Sequence, residues 1–201
     1  MSHVIQLMQE SSISTASESL ADAFMKDPLQ TYVFPNEAER KRKSPEHFAA
    51  ILQYGLMFGE VYTTGNSKGA VVWLRPGETD VTPEKAEKGG LGKLPEVLGE
   101  APTNRFFSVL DFLEPYHKND AGESHWYTMV IGVATSDHGT GVGSALMKPV
   151  IDKARSTQTP IYLETAEASN VSFYTKLGFR VIRELAEPES GLKLWTFRLD
   201  F

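Results

Sequence analysis

The sequence has no cysteine, no long apolar run and no excess of positive charge, and each absence excludes a class of protein. Without cysteine there can be no disulfide, no thiolate metal ligand and no cysteine nucleophile. No stretch reaches the roughly 18 apolar residues of a membrane-spanning helix, and residues 1–12 lack the apolar core of a signal peptide. The formal net charge is −6, whereas a broad nucleic-acid binder is basic. We therefore expect a cytoplasmic protein that holds no metal and binds neither nucleic acid nor membranes.

The chain has the size and composition of one globular domain. Its 201 residues are 41% hydrophobic and 23% charged, which supplies enough apolar material for a core. In the second half, apolar periodicity predicts a strand at 124–134, a glycine-rich loop, a helix at about 142–155, a strand at 161–166, a helix at 168–178, and strands at 179–185 and 192–201. This order predicts a single three-layer α/β/α domain over 1–201, with some antiparallel pairing near the C-terminus.

In the first half, the same periodicity predicts a strand at 3–9, helices at 12–29 and 44–58, and a hairpin at 60–78. Pro28 should end the first helix, and Ser44 should cap the second, with Pro45 in its first turn. The basic run at 40–43 is expected to be a solvated helix start or linker. Residues 83–104 are rich in glycine, proline and lysine, which favours a mobile helical excursion or lid.

The stretch "DHGTGVGSALM" at 137–147 has the composition of a phosphate-binding loop. Gly139, Gly141 and Gly143 alternate with other residues, which lets the backbone turn tightly and present successive N–H groups to one anion. The helix predicted behind the loop adds the positive end of its dipole. A mononucleotide P-loop requires Gly-Lys-Ser/Thr at its end, and no lysine stands there. The P-loop class is therefore excluded.

A dinucleotide-binding fold is a second alternative for this loop. It requires Gly-x-Gly-x-x-Gly directly after a strand, with an acidic residue about 20 positions further on. Glu164 meets the last requirement, since it lies 164 − 143 = 21 residues after Gly143. However, Ser144 stands where the third glycine belongs, and four residues separate the strand from the loop. An NAD(P)-dependent oxidoreductase stays open as the less favoured alternative.

Two motifs together resemble the GNAT N-acetyltransferase superfamily, whose acetyl-CoA loop reads Gln/Arg-x-x-Gly-x-Gly/Ala. After the strand "VIGVA" and the spacer "TSD", the loop here reads "HGTGVG", so that His138 stands where Gln or Arg is usual. Downstream, "NVSFYTKLGF" matches the family's Asn-x-x-x-Tyr-x-x-x-Gly-Phe. The resemblance runs from Trp126 to Phe179. More loosely, "AFMKDPLQTYVFP" and "GAVVWLRPG" resemble a small-molecule, puromycin acetyltransferase-like branch.

The resemblance implies a fold and an activity. The fold is a mixed, mostly antiparallel sheet of six or seven strands flanked by helices, in which the strand before the loop splays from its neighbour. The activity is direct transfer of an acetyl group from acetyl-CoA to a primary amine of a small molecule, by a monomer or homodimer. A non-catalytic acyl-CoA-binding protein on the same fold is the alternative.

The resemblance also implies which residues hold the cofactor. Amides of the loop would bind the pyrophosphate, while backbone groups of the preceding strand would pair with the pantetheine arm. The Ile131 N–H would face the thioester carbonyl as an oxyanion donor, and Asn170 would cap a helix and touch the arm. The full set of expected cofactor residues is Ile131, Val133, His138, Gly139, Thr140, Gly141, Val142, Gly143, Ser144 and Asn170.

Acetyl transfer to an amine also needs a proton donor for the departing thiolate and a base for the amine. Tyr174 is the expected donor, because a tyrosine (pKa about 10) stays protonated where a thiol (about 8.5) ionises. Its structural alternative is helix packing. Glu164 and His125 are the candidate bases. The structural alternative for Glu164 is a sheet-end carboxylate on a hydrogen bond, and that for His125 is an exposed strand start. Weaker candidates are Glu114 and His117.

The acceptor site is expected to have an aromatic and acidic wall, built by the first helices and a later hairpin. Core packing is the alternative role for most of its aromatic members. The candidate residues are Phe24, Asp27, Tyr32, Phe34, Trp73 and Trp126.

Overall fold

The computed structural model describes residues 3–201, and within them one sheet forms the centre of the molecule. Its strands are β1 (Ile5–Leu7), β2 (Gly59–Thr64), β3 (Gly69–Leu74), β4 (Trp126–Val133), β5 (Ile161–Thr165), β6 (Arg180–Ala186) and β7 (Lys193–Leu199). They lie in the order β1-β2-β3-β4-β5-β7-β6, in which β4 and β5 are parallel and all other neighbours are antiparallel. The predicted mixed, mostly antiparallel sheet is confirmed.

Helices cover both faces of this sheet, as the three-layer prediction requires. They are α1 (Ile13–Ala23), α2 (Pro28–Val33), α3 (Glu37–Phe58), α4 (Pro83–Gly89), α5 (Leu94–Leu98), α6 (Glu100–Asp120), α7 (Val142–Thr157) and α8 (Asn170–Lys176). Helices α1 to α6 build the cores on one face, while α7 and α8 build a separate core on the other. No helix among the described residues is long and apolar enough to cross a bilayer.

The first helices differ from the prediction at their ends. The predicted helix at 12–29 is two helices, and Pro28 begins the second instead of ending the first. Helix α3 begins before Ser44, because the side chain of Asn36 accepts a first-turn N–H and caps it there. Pro45 therefore lies inside α3 rather than in its first turn.

The basic run at 40–43 is part of α3, and its first residue is not solvated. Arg40 is buried, and its guanidinium donates to the carbonyl oxygens of Met25 and Phe34. These carbonyls end helical segments and have no further helical partner, so the charged side chain satisfies them. Within this basic run, Arg40 is therefore a buried residue that stabilises the fold, and the prediction of a solvated run is wrong for it.

Residues 83–104 are helical, as predicted, and pack against α3. Leu91, Leu94 and Leu98 are buried in the core beneath this segment. Lys43 donates to the carbonyl oxygen of Leu98 and links the segment to α3. The mobility expected for these residues stays a prediction.

Candidate active site

The glycine loop between β4 and α7 has the backbone geometry of an anion site. Gly139 and Gly141 have φ angles of +74° and +88°, in the left-handed region that favours glycine. A Cβ on either would meet no atom within 4 Å, so conformation rather than crowding requires glycine there. Gly141 precedes α7 with no side-chain cap. The amides of the first turn therefore remain available to a bound anion.

Gly143 serves a different purpose, because its φ is not positive. A Cβ at this position would lie 3.2 Å from Cζ of Phe173, tighter than an ordinary contact. Phe173 belongs to α8, the helix that carries Asn170 and Tyr174. The third glycine thus lets the two halves of the motif pack directly against each other.

Strand β4 splays from β5 just before the loop, as the resemblance implied. The two strands pair only over Trp126–Thr128 and Ile161–Leu163, and β4 then continues to Val133 without a partner on that side. The N–H of Ala134 donates to the carbonyl of Lys68, toward the β3 side, at 2.7 Å. Backbone groups alternate along a strand, so those of Ile131 and Val133 point into the gap.

A β-bulge in β4 sets which side chains face which core. Val72 pairs with Val130 and Trp73 with Thr128, so Met129 is the extra residue. Beyond the bulge, Gly132 faces α1, where a Cβ would lie 2.8 Å from a methyl group of Leu20. The absence of a side chain at Gly132 therefore allows α1 to approach β4 closely.

His138 contacts the strand edge. Its Nε2 lies 2.8 Å from the carbonyl oxygen of Val133, and since a carbonyl only accepts, the ring N–H is the donor. This carbonyl is one of the groups expected to pair with the cofactor arm. The residue that departs from the family pattern thus covers part of the predicted binding edge.

A cleft of about 570 Å³ opens at the loop and the unpaired end of β4. With the exception of Thr140, all the residues expected to hold the cofactor line it. The hydroxyl of Thr140 donates to the carbonyl of Asp137, which stabilises the loop turn. We call this space the cofactor-side cleft.

The cleft wall from α8 carries the second motif. Asn170 is the first residue of α8 and not its cap, since Ser169 holds that position; its Nδ2 donates to the hydroxyl of Thr165 at 3.1 Å. Tyr174 is buried, and this burial raises its pKa above the usual range. Gly178 follows the helix with a φ of +96°, as predicted for a C-terminal glycine.

A second space, the central cavity, measures about 180 Å³. It shares five lining residues with the cofactor-side cleft, so the two spaces meet. The shared residues are Phe24, Asp27, Ile131, Asn170 and Tyr174. Asp27 is the N-cap of α2, accepting the N–H of Gln30 at 3.0 Å, and burial raises its pKa to about 6. Phe24 and Asp27 thus line both spaces, and their role at the acceptor site stays a prediction.

Glu164 lines the central cavity at the end of β5. Its side chain is only 9% exposed, and burial raises the pKa of its carboxyl to about 8, although a hydrogen bond from Tyr127 opposes this rise. Nδ1 of His117 lies 3.5 Å from its Oε1. Burial lowers the pKa of His117 to about 3, so this ring is neutral at physiological pH.

One proton arrangement satisfies every contact of this group. The carbonyl of Gly122 can only accept, so the Nδ1 of His125, 2.8 Å away, carries a proton. The Nε2 of His125 then accepts from the Nε2–H of His117, also at 2.8 Å. Nδ1 of His117 consequently has a free lone pair facing Glu164. A protonated Glu164 carboxyl, as its raised pKa indicates, would donate to that lone pair.

A third space, the outer cleft, has a volume of about 430 Å³ and shares eight lining residues with the central cavity, among them Glu164, Tyr127 and Leu110. His117 and His125 line it, together with several acidic side chains and one lysine. The acidic members besides Glu164 are Asp80, Asp111, Glu114 and Glu123. The three spaces thus form a continuous path past the sheet, with acidic groups at one mouth and the glycine loop at the other.

Three residues expected at the acceptor site do not line this path. Trp73 and Trp126 are buried in the core beneath α7, on the opposite face of the sheet. Tyr32 packs against the small core formed by α6 and β7. These predictions are wrong, because strand alternation and the bulge direct the tryptophans away from α1. Phe34, also proposed, is fully buried.

Tyr127 and His47 line the central cavity although neither was among the predicted site residues, and His117, a weaker candidate base, contacts Glu164. Tyr127 follows Trp126, and alternation alone would place the two on opposite faces; only the register tells which one faces Glu164. His125 lies next to His117 but lines the outer cleft only. No group of three or more metal-ligating side chains suited to an ion occurs among residues 3–201.

Comparison with known proteins agrees with this geometry. A model of the Acetyltransferase (GNAT) family matches residues 106–179. The chain is 27% identical over 170 residues to an uncharacterized N-acetyltransferase of Schizosaccharomyces pombe, covering 82% of this chain and 69% of that protein.

Two solved structures illustrate the shared fold. One is histone acetyltransferase HPA2 and related acetyltransferase from Corynebacterium glutamicum, with a TM-score of 0.73, 21% identity, and coverage of 100% of this chain and 97% of that one. The other is the polyamine N-acetyltransferase of Drosophila melanogaster, which forms N-acetylagmatine; its TM-score is 0.64, with 15% identity and 100% of both chains covered.

Proposed function

Because the chain belongs to the GNAT acetyltransferase superfamily and is an N-acetyltransferase, we propose that it transfers the acetyl group of acetyl-CoA directly to a primary amine of a small molecule. One observation carries the proposal. The cofactor-side cleft and the central cavity meet at Ile131 and Tyr174, so that two ligands could enter from different sides and touch. The Drosophila neighbour, which acts on a small amine, supports this substrate class.

The residues of the cofactor-side cleft fit coenzyme A. The positive-φ glycines Gly139 and Gly141 and the uncapped start of α7 suit a pyrophosphate. Each hydrogen bond to such a charged group contributes roughly 1.5–3 kcal/mol, so a few amides are sufficient. The free edge of β4 suits an extended arm with amide groups. Acetyl-CoA would supply the activated acetyl group and a thiolate leaving group.

Ile131 would stabilise the oxyanion. Its backbone N–H points into the gap between β4 and β5, and it lines both the cofactor-side cleft and the central cavity. A fixed donor in a site with little water stabilises developing negative charge without having to reorient.

Tyr174 would act as the general acid. Tyr174 lines both spaces, and burial raises the pKa of its hydroxyl, so it keeps its proton across the physiological range. It can therefore donate that proton to the leaving sulfur. The aromatic contacts of its ring with Phe179 and Phe197, at centroid distances of 5.9 and 5.2 Å, hold it in place. Packing and chemistry are thus compatible roles.

Glu164 would act as the base. Its carboxyl holds its proton at neutral pH because its pKa is about 8, so the ionised fraction that can take a proton from the amine grows as the pH rises toward that value. The neutral His117, whose Nδ1 lies 3.5 Å from Oε1 of Glu164, would hold the carboxyl in position. His125 contacts His117 and lines the outer cleft but not the central cavity, so it would not be the direct base.

The test is release of free thiol from acetyl-CoA in the presence of primary amines. Tyr174→Phe should lower kcat by about 10²–10⁴-fold, the usual contribution of a general acid. Its dissociation constant for CoA, measured by calorimetry, should stay within about twofold, because the loop that holds the phosphates is unchanged. Tyr62→Phe is the matched control, since that buried ring lies beneath α7. Full turnover of Tyr174→Phe at neutral and high pH would show that the hydroxyl has no such role.

A further inference from the structure

We infer that Asp22, which lies outside both sequence motifs, is a positioning residue for the cofactor: its carboxylate holds the glycine loop in shape before a pyrophosphate arrives. This inference rests on the proposed function and concerns the cofactor-side cleft. It is carried by the exposure of the loop, by the hydrogen bonds between Asp22 and Thr135, and by the place of Asp22 on α1.

The loop is not held in shape by packing. From Thr135 to Gly141 no residue is buried, and Gly139 and Gly141 both have positive φ angles. Glycine loses more conformational freedom on ordering than any other residue. A ligand that must order a loop binds more weakly, because the ordering cost is subtracted from the free energy of its contacts. Hydrogen bonds that reach the loop from the rest of the chain therefore affect its affinity for a ligand.

Asp22 makes two of these hydrogen bonds, both with Thr135. Its Oδ2 accepts the backbone N–H at 2.7 Å and the side-chain hydroxyl at 2.8 Å. Thr135 begins the short turn Thr135–Asp137, which the preceding residue does not cap with its side chain. A carboxylate from a distant helix thus accepts the first N–H of this turn, as a capping side chain would. The two hydrogen bonds are charge-assisted, and they hold the pKa of Asp22 below its ordinary value.

Other side chains that reach the loop from a distance make weaker contacts. The Nε2 of His3 donates to the carbonyl oxygen of Thr140 at 2.8 Å, a single hydrogen bond to an uncharged acceptor. The Nζ of Lys68 lies 3.9 Å from a carboxylate oxygen of Asp137, in an exposed pair of the kind that contributes little. Asp22 is the strongest of these three contacts.

The helix that carries Asp22 does not itself favour a carboxylate there. Asp22 lies in the last turn of α1, where the negative end of the helix dipole disfavours an anion. The next residues, Ala23 and Phe24, line the cofactor-side cleft, and a Cβ at Gly132 would lie within 3.2 Å of both. The end of α1 is therefore packed closely against β4. Through Asp22 it fixes the loop relative to the free edge of β4, and so fixes the pyrophosphate site relative to the site for the pantetheine arm.

The affinity for CoA tests this inference through the sign of the change. CoA is strongly anionic, so removing a nearby negative charge would by itself strengthen binding. We expect the opposite for Asp22→Ala. Its dissociation constant for CoA, measured by calorimetry, should rise by about tenfold, because the cofactor must then order the loop. Asp22→Asn keeps an acceptor oxygen and should weaken binding by only about threefold. Glu18→Ala removes an exposed charge one turn earlier on α1 and should not weaken binding.

S-acetylpantetheine separates a role at the pyrophosphate from a general structural role, because it has the arm and the thioester but no pyrophosphate. With a primary amine that the wild type acetylates, Asp22→Ala should raise the KM for acetyl-CoA by about tenfold and leave kcat within about twofold. Its kcat/KM for S-acetylpantetheine should stay within about twofold of the wild-type value, since this substrate does not use the loop. A general structural defect would lower kcat/KM for both substrates alike.

The outcomes distinguish the two proposals. If Asp22→Ala binds CoA as tightly as the wild type or more tightly, or if it loses kcat/KM equally for both thioesters, the inference is overturned while the proposed function stands. If the wild type binds CoA and no amine releases thiol, the proposed function is overturned, and the calorimetry still decides the role of Asp22. If the wild type does not bind CoA, both are overturned.

Discussion

Replacing Glu164 with glutamine should stabilise the protein at alkaline pH while it removes the proposed base. Burial raises the carboxyl pKa from its ordinary 4.5 to about 8, so the folded state resists ionisation that the unfolded chain undergoes freely. The group therefore costs little stability below pH 4.5. Its cost grows as the pH rises from 4.5 and levels off above the folded pKa of about 8.

The magnitude follows from these two pKa values. Each unit of difference corresponds to about 1.4 kcal/mol in the free energy of unfolding. Between pH 5 and pH 8, the wild-type protein should lose about 3–4 kcal/mol relative to Glu164→Gln. This is a large fraction of the stability of an ordinary domain, about 5–15 kcal/mol. A catalytic carboxyl placed in an apolar cavity is thus expected to reduce stability at the pH where it works.

Urea denaturation of both proteins at pH 5 and pH 8 measures this difference. Glu184→Gln is the matched control, because that side chain is exposed on β6 and lies outside the cavity. Glu164→Gln should also lose turnover, and the inflection near pH 8 in the kcat/KM of the wild type should be absent from this variant. A free-energy difference between wild type and Glu164→Gln that stays constant within about 1 kcal/mol from pH 5 to pH 8 would refute the reasoning.

Three further predictions concern His117, the loop and the buried arginine. His117→Gln should make the stability of the protein less sensitive to acid, because burial lowers the pKa of this ring to about 3. Measured by urea denaturation, the free energy of unfolding of the wild type should fall by about 3 kcal/mol more than that of the variant between pH 7 and pH 4. Gly141→Ala and Gly191→Ala should each cost about 1–2 kcal/mol, because both positions have positive φ; calorimetry should show weaker CoA binding, by about tenfold, for Gly141→Ala alone. Arg40→Ala should cost about 3 kcal/mol, whereas the exposed Arg42→Ala should cost less than about 0.5 kcal/mol.

Local sequence was sufficient for the cofactor-side cleft. Its features are the positive-φ glycines, the helix behind them and the α8 motif. All three depend on residue types and on spacings between residues that are close along the chain, and both can be read from the sequence. The splay of β4 followed from the family pattern and is present in the strand pairing. Glu164 was identified as a candidate because it stands at the end of a strand that faces the loop.

The acceptor side could not be predicted in the same way. Trp126 and Tyr127 are adjacent, and both are aromatic residues on a strand, so composition does not distinguish them. The bulge at Met129 and the register with β5 decide that Tyr127 contacts Glu164 while Trp126 enters the opposite core. Arg40 was misread for a related reason, because its carbonyl partners come from turns outside its own helix.

The sequence by itself determined that this chain forms an α/β domain, in which a glycine-rich loop precedes α7 and Tyr174 lies on the helix of the second motif. Those features depend on residues that are close along the chain. Only the tertiary structure decided that α6 brings His117 beside Glu164, and that α1 and α3 close an apolar cavity against the bulged strand. The physical reason is that pKa values and cavity walls depend on what each side chain is buried against, and those partners come from distant parts of the chain.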